Sequence, residues 1–207
     1  SSEGGAARQL TSGKYNFNGQ PVWAADGKAV IVSANLSDNW EFEPLDSELY
    51  RVAVSDGAVT RLTERKGPDH SAILSSDGKR MAWLGLDDKR HPYQATRIYV
   101  GDTNAGNSSS LTDGFDFNVD AIAWDGNRGL WLQFDDYGKT RLGWISVNGG
   151  KVERIADDLG GTEVGRPYTS ASFSAAGGRV AYTQGGMYSL ANLAVTERSG
   201  KSRNLTD

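Results

Sequence analysis

Glu41 and Glu43 stand on either side of Phe42 in the stretch NWEFEPLDSELYRV (39 to 52). In an extended segment side chains two apart share a face, so both carboxylates would point the same way and could hold a substrate amine. A solvated edge, or a salt bridge from one of them to Arg51 or Arg90, is the other reading of the pair. Other residues that could contact a substrate or a partner domain are Trp40, Phe42, Arg90, His91, Tyr93, Arg166 and Tyr168. They fall in connections, and connections on a rigid scaffold are where binding groups concentrate. The same aromatics could instead pack between structural units.

Catalytic and metal chemistry lack their residues. The chain holds two histidines, His70 and His91, and no cysteine, which removes thiol catalysis, disulfides and thiolate zinc sites. Asp87-Asp88, Asp135-Asp136 and Asp157-Asp158 do not have the alternating oxygen-ligand spacing of a calcium loop. No Gly-x-Ser-x-Gly nucleophile elbow occurs. No catalytic residue, metal or cofactor is therefore expected. The Asn-x-Ser/Thr triplets at Asn35, Asn107 and Asn204 matter only in a eukaryotic secretory pathway.

Composition narrows the class further. Of 207 residues 38% are hydrophobic and 23% charged, with a net charge of −4. No apolar run approaches the roughly 20 residues a bilayer helix needs, and lysine and arginine are scattered, so neither membrane nor nucleic-acid contact is expected. The opening SSEGGAARQLTSG has no basic region and no apolar stretch of the signal-peptide kind. A soluble chain is expected, with the compartment open between cytoplasm and periplasm.

The elements that would carry such connections come in repeats. PVWAADGKAVIV (21 to 32), SAILSSDGKRMAWL (71 to 84), DAIAWDGNRGLWL (120 to 132) and SASFSAAGGRVAYT (170 to 183) share apolar residues, a small polar turn, a glycine and alternating apolars. Their turn glycines, Gly27, Gly78, Gly126 and Gly178, lie 51, 48 and 52 residues apart. Each repeat closes on a second marker: RLT at 61 to 63, SLT at 110 to 112, RIA at 154 to 156 and NLT at 204 to 206. Before each marker a small-residue turn follows an alternating strand, so a repeat holds four short strands. Four strands in about 45 to 50 residues make a propeller blade, whose faces are buried against its neighbours.

The markers do not balance. RQLT (8 to 11) is a fifth strand end with no hairpin of its own. The expected fold is all-β: a partial β-propeller of four four-stranded blades plus the last strand of a preceding blade. The expected divisions are 1–11 for that tail and 12–64, 65–113, 114–158 and 159–207 for the blades. Open ends require cover, either from missing blades or from another copy through the open blade edges.

Four stretches resemble the propellers of the prolyl oligopeptidase family of serine peptidases, above all its acylaminoacyl-peptidase and dipeptidyl-peptidase-like branch. They are NWEFEPLDSELYRV (39 to 52), SSDGKRMAWLGLDDKRHPYQATRIYV (76 to 100), LWLQFDDYGKTRLGWISVNGGKVERI (130 to 155) and GKSRNLTD (200 to 207). The DGK hairpin and the Leu-Thr end also resemble TolB-type repeats. The first resemblance implies a propeller that caps an α/β-hydrolase domain, screens peptide substrates and does no chemistry itself. The second implies a protein-interaction scaffold of the TolB or WD-repeat kind. A propeller glycosidase fits poorly, because the inner strands PVWAA, SAILS, DAIAW and SASFS lack convergent carboxylates and arginines.

Strand alternation places the binding face. The second-to-third and fourth-to-first connections share one end of the blades, and both kinds are expected to be long. They include residues 34 to 47, 86 to 96, 12 to 21, 113 to 119 and 157 to 168.

Overall fold

The computed structural model describes residues 4–161, 163, 165 and 170–206. Its strands fall into antiparallel groups of four, and no helix occurs among the described residues. The first blade is β1 (Phe17–Trp23), β2 (Ala29–Ala34), β3 (Glu48–Ala53) and β4 (Val59–Arg61). The second is β5 (Asp69–Leu74), β6 (Arg80–Gly85), β7 (Arg97–Asp102) and β8 (Ser109–Ser110). The third is β9 (Ala121–Asp125), β10 (Gly129–Asp136), β11 (Lys139–Ser146) and β12 (Glu153–Leu159). The fourth is β13 (Phe173–Ala176), β14 (Arg179–Gly186), β15 (Ser189–Glu197) and β16 (Arg203–Asn204).

The repeat markers explain the local geometry. Gly27, Gly78, Gly126 and Gly178 all have φ between 59 and 77°, a region that favours glycine. The Leu-Thr ends have a different task. Leu62, Leu111 and Leu205 donate their N–H to the carbonyls of Leu49, Ile98 and Leu193. Those same three residues donate back, not to a carbonyl but to the hydroxyls of Thr63, Thr112 and Thr206, each at 2.9 Å. A side chain thus takes the place of the next ladder acceptor and stops the fourth strand.

The third blade has Ala156 at that position and no such hydroxyl. Its fourth strand runs on to Leu159, which pairs with Gln184 of β14 and fuses the third and fourth blades into one sheet. The division read at 158 therefore falls inside β12. Thr112→Val should leave the buried Ile98 N–H without an acceptor and cost about 1–3 kcal/mol in urea unfolding. An unchanged midpoint would mean that a backbone acceptor replaces the hydroxyl.

The core lies in seams between blades. Alternation along β10 sends Leu130, Leu132 and Phe134 into the seam with the second blade, beside Leu84 and Ile98. Trp131 goes the other way, into the seam with Val180 and Tyr182 of the fourth. A third cluster joins Ile31 and Leu49 of the first blade to Ala72, Met81 and Trp83 of the second.

That last seam also holds charge. Arg65 is ion-paired with Asp69 and lies 3.6 Å from the centre of the Tyr99 ring. The Trp83 indole donates to the Asp69 carboxylate at 3.1 Å. Burial pushes the Asp69 carboxyl up to about 6, and the Arg65 charge opposes this only in part. An acid raised on folding binds protons as the chain folds, so its stabilising share is full below its unfolded pKa and is lost as pH rises through about 6. His70, pushed down by burial, acts with the opposite sign. Comparison with Asp69→Asn isolates the aspartate. Any advantage in thermal midpoint of the native chain over the variant should shrink from about pH 5 to about pH 7; a constant offset would contradict the titration.

The outer face of the fourth blade is partly exposed among the described residues. Leu49, Ile98 and Leu142 occupy equivalent third-strand positions and are fully buried, whereas their equivalent in the fourth blade, Leu193, is 40% exposed, with Leu205 beside it at 45%. At the other end Leu10 lies across the turn at Gly57, whose missing Cβ leaves room for its carbonyl. Gly200, the equivalent glycine of the fourth blade, meets the Ile155 carbonyl of the third in the same way. Residues 8 to 11 therefore sit where the outer strand of a preceding blade would sit.

Candidate functional site

The second-to-third connections share one end of the blades, but only half of them are long. Between β2 and β3, and between β6 and β7, the chain makes the expected loops. In the third and fourth blades it turns tightly, through Tyr137-Gly138 and Met187-Tyr188, with Asp136 opposite Lys139 and Gly186 opposite Ser189. The connection read at 12 to 21 is also shorter, because β1 begins at Phe17, and Asp157 and Asp158 belong to β12.

The loop of the first blade is not extended around Glu41 and Glu43. Asn35 and Ser37 side chains accept the N–H groups of Ser37 and Asn39, and the Glu43 N–H reaches back to the Asn39 carbonyl at 3.0 Å. In such a helical turn, residues two apart point in different directions. The extended backbone that would align the two carboxylates is therefore not present in this loop. Glu43 instead accepts from Arg90 of the neighbouring loop at 2.9 Å, with Lys66 at 3.7 Å, while Arg51 pairs with Asp26. Glu41 is exposed and Trp40 half-buried.

The loop of the second blade is braced from within. Arg90 has a φ of 55° and donates its N–H to Asp88, which also accepts from Gln94. These bonds, the Gln94 one foremost, hold the Asp88 carboxyl below its usual value. His91 and Tyr93 line a cleft of about 490 Å³ with Arg97, Asp113 and Asp116. Phe115 and Phe117 turn inward onto Phe134 and are packing residues. Arg166 and Tyr168 lie outside the described residues.

What unites the four connections is an exposed aromatic at each. Phe42 is 85% exposed, Tyr93 66%, Tyr137 95% and Tyr188 97%. Tyr137 and Tyr188 are invisible to a reading that looks for long loops, since Asp-Tyr-Gly-Lys and Gly-Met-Tyr-Ser are short turns. One signal was present at the first of them: a bulky residue stands where a turn of that kind favours asparagine or aspartate. Tyr137 has a φ of 49°.

Fold and face together define a run of β-propeller blades. No family model matches the chain. In sequence it is similar to dipeptidyl-peptidase 5 of Porphyromonas gingivalis, 23% identical over 163 residues, which make 70% of this chain and 24% of that protein. Among solved structures, the Pyrococcus horikoshii acylaminoacyl peptidase superposes with a TM-score of 0.67 at 23% identity, over 91% of this chain and 27% of that one. TolB from Acinetobacter baumannii superposes with a TM-score of 0.61 at 20% identity, over 95% of this chain and 45% of that one. The chain thus spans about a quarter of the peptidases it matches. The resemblance to peptidase propellers holds, as does that of the DGK hairpin and Leu-Thr ends to TolB repeats.

Proposed function

We propose that this chain is a non-catalytic propeller segment of a serine peptidase, and that its aromatic-tipped face meets an α/β-hydrolase domain and gates the peptides that reach the active site there. The observation that carries the reading is the exposed aromatic at each second-to-third connection, all at one end of the blades. Exposed apolar groups gathered on one face mark a contact surface. Fourth strands end at the same face, so a domain following the last blade would start beside it. The similarity to a dipeptidyl peptidase and to an acylaminoacyl peptidase favours a peptidase as the partner.

The blade faces give the second set of partners. Leu193 and Leu205 repeat the positions that Leu49 and Leu62 bury against a following blade, so a further blade is the matching cover there. A second copy of the chain, head to tail, would serve the same purpose.

A scaffold of the TolB kind is the alternative, favoured by a superposition over 95% of the chain. Sequencing the natural reading frame past codon 207 separates the two. The peptidase reading expects a Gly-x-Ser-x-Gly elbow downstream; a stop codon directly after Asp207 would leave the scaffold.

A further inference from the structure

The N-terminal segment and the last strand carry nearly the same four residues, Arg8-Gln9-Leu10-Thr11 and Arg203-Asn204-Leu205-Thr206. Their settings differ. The second set closes the fourth blade, whereas the first lies beside the first blade with the Leu10 carbonyl against Gly57. Arg8 fixes it there by donating to the Val54 carbonyl and, at 3.1 Å, to that of Ser55. The seam between the third and fourth blades shows that this is the ordinary place of a fourth strand. There the Ile155 carbonyl lies against Gly200, and Glu153, two residues before Ile155, pairs with Arg198, two residues before Gly200. Arg8 and Ser55 stand in those same two positions.

A second copy of the chain offers the same groups. Its Arg203 is exposed and has no hydrogen bond or ion pair among the described residues, and Leu205 stands beside the exposed Leu193. The first blade is prepared to receive them. Trp23 pairs with Val30 as Trp124 pairs with Leu130, so the two tryptophans hold one position in their blades. Trp124 packs into the seam with the second blade and donates to the Ile73 carbonyl at 3.2 Å, whereas Trp23 is 61% exposed. Ser174 repeats Ile73 on the fourth blade, since each pairs with the matching alanine, Ala181 or Ala82. The fourth blade of another copy would thus supply the acceptor that Trp23 lacks. One obstacle stands in the way. β16 of that copy would bring Leu205 to Gly57, where Leu10 already lies, and Arg203 to the carbonyls that Arg8 already holds.

We propose that residues 8–11 block the first blade from docking onto the fourth blade of a second copy, so that head-to-tail assembly of the chain begins only when they leave. The hold is light, because Arg8 is exposed and hydrogen bonds open to water contribute little. A seam that covers Trp23, Leu193 and Leu205 removes more apolar surface from water, so release of the segment favours assembly. The contact is heterologous, the fourth blade of one copy against the first blade of the next. The inference rests on reading a second copy as a cover for the blade faces, and it adds what prevents that cover.

The test follows oligomeric state by sedimentation velocity as concentration rises. The 207-residue chain should stay monomeric. The chain lacking residues 1–11 should self-associate, and Leu193→Lys in that shortened chain should restore the monomer. In the full chain Arg8→Asp, which sets an acceptor against the two carbonyls, should raise association by about tenfold or more; this variant decides the matter if the shortened chain fails to fold. A fluorescein-labelled peptide of residues 4–13 should bind the shortened chain and dissociate its oligomers. Equal association of the native and shortened chains, monomers from both the shortened chain and Arg8→Asp, or oligomers indifferent to Leu193→Lys would each overturn the proposal. The peptide tells the failures apart. A shortened chain that binds it yet stays monomeric contradicts the second copy as a cover, and one that does not bind it contradicts the place given to residues 8–11.

Discussion

Replacing Phe134 by alanine is expected to lower the unfolding free energy by about 3–5 kcal/mol, one of the largest single losses available in this chain. Phe134 is fully buried in the seam of the second and third blades. Its ring meets Phe115 edge-on at 4.9 Å and Phe117 at 5.7 Å, and Gly143 lacks a Cβ where its edge lies. The surroundings are poorly placed to collapse into the space, because the seam is walled by two hydrogen-bonded sheets. Urea unfolding should show a lower midpoint with its slope kept if the blades unfold together. A lowered slope would mean that the seam parts before the blades melt, so the same experiment reports whether the run is one cooperative unit.

Gly85→Ala is the second. Gly85 ends β6 without a positive φ, so alanine there meets no backbone strain. The obstacle is space. An added Cβ would fall on the Asp69 carboxylate, the Arg65 guanidinium and the Pro68 carbonyl together. To make room, the chain must pull apart a buried ion pair or shift β5 against β6. A loss of about 3 kcal/mol is expected, in the range that overpacking and broken buried pairs share. Gly27→Ala is the control: its φ is 66° and the space around it is open, so it should cost only about 1 kcal/mol from strain. Equal losses at the two positions would mean that the Asp69–Arg65 pair is not as confined as described.

Much of this fold was legible because its devices are local. A turn glycine and a Leu-Thr end each act within a few residues or across one hairpin, and both recur at a fixed spacing. The exception was legible too, in RIA at 154 to 156, but its consequence was not. The loss of one hydroxyl lets β12 continue to Leu159, and pairing with Gln184 depends on where the next blade happens to lie.

The candidate face was read less completely. Glu41 and Glu43 alternate in sequence, but Asn35 and Ser37 fold their loop into a turn through side-chain bonds to the backbone, which overrides the alternation. Arg90 was one of two partners open to the pair, and choosing it over Arg51 required the neighbouring loop. Tyr137 and Tyr188 were missed because exposure is set by the hairpin that carries a residue, not by the residue itself. Phe115 and Phe117, of the same type, face inward because their connection runs over the Phe134 seam.

The face itself can be measured directly by hydroxyl-radical footprinting of tyrosines, comparing the 207-residue chain with the complete polypeptide its natural gene encodes. In the chain alone Tyr137 and Tyr188 should label strongly and the buried Tyr182 weakly. If this end of the blades meets a peptidase domain, labelling of Tyr137 and Tyr188 in the complete polypeptide should fall toward that of Tyr182. Equal labelling of both tyrosines in the two samples would contradict it.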